Sequence, residues 1–179
     1  GKSSLLNCIL GKERSIVSNI AGTTRDAIDA YYENEHGKYM LIDTAGLRRK
    51  SKVDENIEKY SVLRSYMAVE RADVVLVLID AREGVTEQDT KIAGYVDEQG
   101  KAAIIVINKW DAIEKDTGTM NEYVAQVREN LKFMAYAPIL FISAVTGQRT
   151  NRIFELINFV NDQSHMRITT GMLNNVLAD

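Results

Sequence analysis

The sequence predicts an α/β fold built on a mostly parallel, doubly wound sheet with helices on both faces. Three observations predict it. Ala102–Ile107 and Asp73–Ala81 are unbroken apolar runs rich in β-branched residues, the pattern of strands buried on both faces, as parallel sheets require. From residue 37 onward such strands alternate with stretches of three- and four-residue apolar spacing. The strands also stop abruptly in short polar motifs, and ligands of open α/β sheets sit just beyond the carboxyl ends of the strands.

Composition sets the limits. The chain has 179 residues, one domain-sized unit with enough length for a substantial core. Its 45% hydrophobic and 26% charged content is that of an ordinary soluble globular protein. No apolar run approaches the ~20 residues of a membrane span, and no leader resembling a signal peptide is expected. The single Cys8 excludes an internal disulfide and fits a reducing cytosol. A net charge of −3 gives no global attraction to nucleic acid, so any RNA contact must be a local patch.

In chain order, Gly1-Lys2-Ser3-Ser4 leads into Leu5-Leu6-Asn7-Cys8-Ile9-Leu10 and stops at Gly11. A Gly-Lys-Ser at a helix start reads as the second half of a phosphate loop. Its lysine reaches the β/γ-phosphates, its serine hydroxyl ligates Mg²⁺, and the helix N-terminus favours an anion. Cys8 reads as a small apolar residue of that helix. Glu13 to Asp29 is a long polar connection holding Thr23-Thr24, which offers either a Mg²⁺ ligand or a solvated turn. Ile28–Asn34 and Lys38–Asp43 flank His36-Gly37 as a hairpin. The second strand ends in Asp43-Thr44-Ala45-Gly46, where the Asp can hold Mg²⁺ through a water and the Gly N–H can meet a γ-phosphate.

Leu47 to Asn56 carries Arg48, Arg49, Lys50 and Lys52, and is either a solvated surface or a phosphate- or RNA-facing patch. Ile57, Tyr60, Leu63 and Met67 mark the apolar face of the next helix. Ile92 and Val96 mark another, with Thr86 and Asp89 as a capping box. Met120, Val124, Val127 and Leu131 mark a third. Pro138–Ile142 is a strand ending in Ser143-Ala144, and Ile153, Leu156, Ile157 and Val160 mark a last helix. Met and aromatic residues on these faces are assigned to the core.

The run Ala102–Ile107 ends in Asn108-Lys109-Trp110-Asp111. A carboxylate accepts two parallel hydrogen bonds, and guanine offers two adjacent donors on one edge where adenine has no such pair. Asp111 would therefore select guanine, with a penalty of roughly a few kcal/mol for leaving it unpaired. Asn108 can bond the base and brace neighbouring loops, and the Lys109 stem can lie along the flat ring. The alternative is a polar strand-end loop of no special chemistry. Gly-Lys-Ser, Asp-x-x-Gly, Asn-Lys-x-Asp and Ser-Ala on one rim, in that order, favour the nucleotide reading.

These motifs resemble those of the P-loop GTPases: Gly1-Lys2-Ser3, Thr23-Thr24, Asp43-Thr44-Ala45-Gly46, Asn108-Lys109-Trp110-Asp111 and Ser143-Ala144. Ile20–Asp26, Asp43–Lys50 and Arg167-Ile168-Thr169-Thr170 sharpen the likeness to the second GTPase domain of the bacterial double GTPases, within the TrmE-Era-EngA-like family. The resemblance covers essentially the whole chain.

It implies a P-loop GTPase fold that binds GTP, hydrolyses it slowly to GDP with Mg²⁺, and acts in assembly of the large ribosomal subunit and on its RNA. The alternatives are a related GTPase of tRNA modification and a non-catalytic, nucleotide-dependent RNA- or ribosome-binding module. By resemblance Gly1, Lys2, Ser3 and Ser4 cradle phosphates, and Ser3, Thr24 and Asp43 serve Mg²⁺. Lys2, Thr24 and Gly46 act in hydrolysis, with Asp43, Thr44, Ala45, Gly46 and Leu47 around the γ-phosphate. Asn108, Lys109, Trp110, Asp111, Ser143 and Ala144 form the base site. Leu47 stands where other GTPases carry a water-orienting Gln. Relatives of this type use a potassium ion there, held by an Asn that would lie upstream of Gly1. The resemblance assigns residues 1–163 to a GTPase domain cut within its phosphate loop, so that the first strand, in the middle of the sheet, is missing. It assigns residues 164–179 to a linker and the start of a KH-like domain. A cytoplasmic monomer with no membrane attachment is expected.

Overall fold

The computed structural model describes residues 2–11, 18–19, 29–42 and 55–177. Within them the order is α1 (Lys2–Leu10), β1 (Ser18–Asn19), β2 (Ala30–Asn34), β3 (Gly37–Leu41), α2 (Glu55–Arg71), β4 (Val74–Asp80), α3 (Glu87–Glu98), β5 (Ala102–Asn108), α4 (Thr119–Asn130), β6 (Ile139–Phe141) and α5 (Arg152–Leu177).

β5 is the axis of the parallel sheet, with β4 on one side and β6 on the other. Every residue of β5 is buried, because successive side chains point to opposite faces and both faces are covered. Ala103, Ile105 and Ile107 face a core completed by Val96 of α3, Val127 of α4 and the following Leu131. Ala102, Ile104 and Val106 face the opposite core, with Leu5 and Ile9 of α1 and Ile153 and Val160 of α5. Each fully buried Ile contributes about 1.5–3 kcal/mol. α3 starts with the expected capping box: Asp89 N donates to Thr86 Oγ1 at 3.2 Å, and Thr86 N to Asp89 Oδ2 at 3.0 Å.

The expected hairpin forms from β2 and β3, antiparallel, with Asn34 opposite Gly37. Gly37 has φ 146, where a side chain would be strained. The hairpin is fastened to α5. Tyr32 and Tyr39 pack on Phe154 with ring centroids 5.1 and 4.8 Å away. Tyr39 also donates its hydroxyl to Asn158 Oδ1 at 2.9 Å. Nearby, the buried Asp29 carboxylate takes hydrogen bonds from the Arg71 guanidinium, one of them 3.3 Å long.

As expected for a mostly parallel α/β fold, β4-β5-β6 form a parallel sheet; among the described residues β1-β2-β3 form a separate antiparallel one. The edges of β3 and β4 line a shared cavity of about 1780 Å³, and no described strand bridges them. Leu63 and Met67 are not core: each is 57% exposed. The face of α2 that packs inward carries Val69, which lies about half a turn around the helix from Met67. Leu131 closes α4 through its N–H to Val127 O at 2.9 Å and lies in the turn after it rather than within the helix. α5 runs from Arg152 to Leu177. Among the described residues no helix is long and apolar enough to cross a membrane.

Candidate functional site

Two parallel strands in register bring their last residues side by side. β4 and β5 pair from Val74 opposite Ala102 to Asp80 opposite Asn108, so both strands end on one rim. β6 pairs Phe141 with Ile107 and delivers Ser143 and Ala144 to the same rim.

Asn108 is 2% exposed, and its Oδ1 is a brace. It accepts the Lys109 N–H at 2.8 Å and the Ala144 N–H at 3.0 Å, tying the strand end to the loop after β6. A buried side-chain amide requires such partners. Lys109 then turns the chain through the left-handed region, at φ 63 and ψ 32, which few non-glycine residues adopt. That turn sends Trp110 inward, 3% exposed, against Phe141 and Tyr123 with centroids 4.4 and 5.4 Å away. Trp110 therefore supports the turn from beneath. Its N–H donates to Ile142 O at 3.1 Å, a second tie between the two loops.

Asp111 comes out of the turn exposed. Ser143, fully buried, donates its hydroxyl to Asp111 Oδ1 at 2.7 Å. No described residue donates to Oδ2. The loop that holds Ser143 closes on itself, with Gly147 N donating to Ser143 O at 2.8 Å and Ser143 N to Gln148 O at 3.2 Å. The result is a rigid, outward-facing carboxylate with acceptor capacity to spare, beside a lysine and a backbone N–H loop. Such a group can take a pair of donors from one planar edge.

The sequence reading did not single out Asp80. Its Oδ2 accepts the Lys109 ammonium at 2.8 Å, and Arg82 donates to the same carboxylate from its backbone N–H at 2.9 Å and from its guanidinium at 3.3 and 3.4 Å. Burial acts to raise the Asp80 carboxyl, but the hydrogen bonds from Arg82 and Lys109 outweigh it and hold the group well below the ordinary carboxylate range. Arg82 is raised in turn by its bond to Asp80 and by the Asp80 charge. Tyr123 also escaped notice; its hydroxyl donates to Ala81 O at 2.9 Å and fixes the loop after β4. The signal for Asp80 was present in the sequence, since it ends its apolar run as Asn108 ends the neighbouring one.

Lys2 opens α1 and lines the cavity between the sheets together with Asp80, Asn108 and Lys109. The structure thus brings Lys2, expected at the phosphates, and Asn108 and Lys109, expected at the base, to the lining of one cavity. Ser4 is exposed on α1. Gly1, the Ser3 side chain, Thr23, Thr24, Asp43, Thr44, Ala45, Gly46 and Leu47 lie outside the described residues, as do Arg48, Arg49, Lys50 and Lys52.

A family profile described as 50S ribosome-binding GTPase matches residues 1–109. The chain is 68% identical over 179 residues to the GTPase Der of Acetivibrio thermocellus and 66% identical to that of Ruminiclostridium cellulolyticum. Each match covers 100% of this chain and 41% of the relative, so the chain spans less than half the length of these proteins. Among solved structures it is similar to Era in complex with MgGDPNP and nucleotides 1506–1542 of 16S ribosomal RNA, at TM-score 0.64 and 28% identity, over 90% of this chain and 52% of that one. The α/β architecture and the rim of motifs agree with these likenesses, and the chain belongs to the 50S ribosome-binding GTPase family.

Proposed function

We propose that this chain is the second GTPase domain of a double GTPase, one that binds GTP, hydrolyses it slowly and acts as a switch in assembly of the large ribosomal subunit. The observation that carries the reading is the Asn108–Asp111 turn locked to Ser143-Ala144, with the Asp111 carboxylate held outward. Support comes from the family match and from Era, whose solved complex holds a guanine nucleotide analogue and ribosomal RNA.

In this reading Asp111 takes the ring N–H and exocyclic amine of guanine, Lys109 lies along the base face, and the Asn108–Ala144 brace sets the distance between them. Lys2 meets the β/γ-phosphates from the helix N-terminus. Ser3, Thr24 and Asp43 offer two hydroxyls and a carboxylate, hard oxygen donors that fit Mg²⁺, and these residues would hold it. That ion would neutralise charge on the phosphate oxygens. Gly46 offers its N–H to the γ-phosphate and Thr24 its hydroxyl, so both would register whether the γ-phosphate is present. Leu47 has no side-chain atom to hydrogen-bond and orient water, which makes unaided hydrolysis slow.

Calorimetric titration of the full-length protein with GDP and ADP in Mg²⁺ tests the reading. The expected result is tight GDP binding and no measurable ADP binding; equal affinity would overturn it. Leu47 favours one second reading, a nucleotide-dependent RNA- or ribosome-binding module with negligible hydrolysis. Single-turnover hydrolysis measured on saturated protein separates the two.

A further inference from the structure

We propose that Asp80 is a positioning residue of the base site: its carboxylate fixes the Lys109 ammonium, so that the lysine stem is set to receive a purine before one arrives. The proposal rests on the reading of Asn108–Asp111 as a guanine site.

The arrangement is built from three sides. Parallel register places Asp80 directly opposite Asn108, one residue from Lys109. The carboxylate cannot swing freely, because Arg82 holds both of its oxygens and the N–H groups of Glu83 and Gly84 donate to the Asp80 carbonyl at 3.1 and 3.0 Å. Lys109 is itself in the left-handed conformation, which costs about 1–3 kcal/mol and persists only where surrounding contacts enforce it. Asn108 enforces it at the backbone, and Asp80 is the partner at the far end of the side chain.

The two side chains are only 29% and 18% exposed, so their attraction is screened less than that of a surface pair. With both ends of Lys109 held, its methylenes form a fixed apolar bar on the rim. A free lysine would lose rotamer entropy on stacking against a base, and here much of that loss is taken in folding.

The role makes a prediction that a general structural role does not. The lysine stem meets the face of the base, whereas Asp111 meets its edge. Asp80→Asn in the full-length protein should therefore weaken GDP and inosine diphosphate by the same factor, roughly tenfold. The ratio of the two affinities should stay constant. Asp111→Asn should instead collapse that ratio, since inosine lacks the exocyclic amine. In a Lys109→Met background Asp80→Asn should cost nothing further, whereas in an Arg82→Ala background it should still weaken binding. Asp80→Glu, which keeps the charge, should recover most of the loss, and Asp80→Ser stands in if the amide variant does not fold.

Titration calorimetry of these variants decides the matter. Asp80→Asn binding both nucleotides as tightly as wild type would overturn the proposal, as would an undiminished loss in the Lys109→Met background. In either case a shifted ratio in Asp111→Asn would leave the guanine reading standing. Wild-type protein that bound GDP no better than ADP would overturn that reading and the proposal with it.

Discussion

Replacing Asp111 by Asn exchanges one oxygen for a nitrogen and reverses one hydrogen-bond direction. In the structure Ser143 Oγ donates to Asp111 Oδ1 at 2.7 Å, which leaves Oδ2 and the remaining lone pairs to a ligand edge. If the new amide oxygen keeps the Ser143 bond, its NH₂ faces the guanine donors and both base contacts are lost. If the amide flips, its oxygen regains one guanine donor, but Ser143 must then accept instead of donate. In both cases at least one charge-assisted hydrogen bond disappears, worth about 1.5–3 kcal/mol. GTP affinity should therefore fall by about 10- to 150-fold or more. Xanthosine triphosphate carries a carbonyl in place of the amine and can accept from the new NH₂, so the preference should move to it. The assay is equilibrium titration of both nucleotides against wild type and Asp111→Asn, with unfolding curves to show that the variant is intact. An Asp111→Asn protein that binds GTP as tightly as wild type would refute the base assignment.

Other outcomes follow from the same physics. Because Leu47 cannot position water, intrinsic turnover should lie well below the roughly 1–10³ s⁻¹ typical of enzymes, and Leu47→Ala should alter it only modestly; a drop of roughly several hundredfold with binding intact would show a positioning role. The Asp80 carboxyl is raised by burial but brought well below the usual range by Arg82 and Lys109, so the folded state binds fewer protons than the unfolded one. Its stabilisation is present above the unfolded value near ~4 and is lost as pH falls through the folded one. The stability gap between wild type and Asp80→Asn should narrow as pH drops from about 5 toward about 2; a constant gap in denaturant titrations would refute the linkage.

Much of this fold was legible because burial on two faces leaves an unmistakable residue pattern. The run of β5 could be nothing but a central strand, and all seven of its residues are buried. The Thr86–Asp89 cap was legible for a local reason, since its partners lie three residues apart. α2 was harder. Spacing identifies a face but not which neighbour covers it, and Leu63 and Met67 share a face that the sheet does not reach. The parallel pairing of β4, β5 and β6 was legible from the alternation of apolar strands and amphipathic helices. At the site, the Asn108 brace was anticipated, whereas the inward turn of Trp110 was not. That turn follows from the left-handed backbone at Lys109, which no residue type at that position announces. Asp80 and Tyr123 were missed because their roles depend on register and on a contact between residues 42 apart in sequence.

The central claim is that guanine is read at the Asn108–Asp111 turn. A crystal structure of the full-length protein with GDP and Mg²⁺ tests it most directly. The account predicts the two guanine donors on the Asp111 carboxylate, the Lys109 stem along the ring with its ammonium still on Asp80, and the phosphates at Lys2. A nucleotide seated elsewhere, or a base that leaves Asp111 facing solvent, would contradict it.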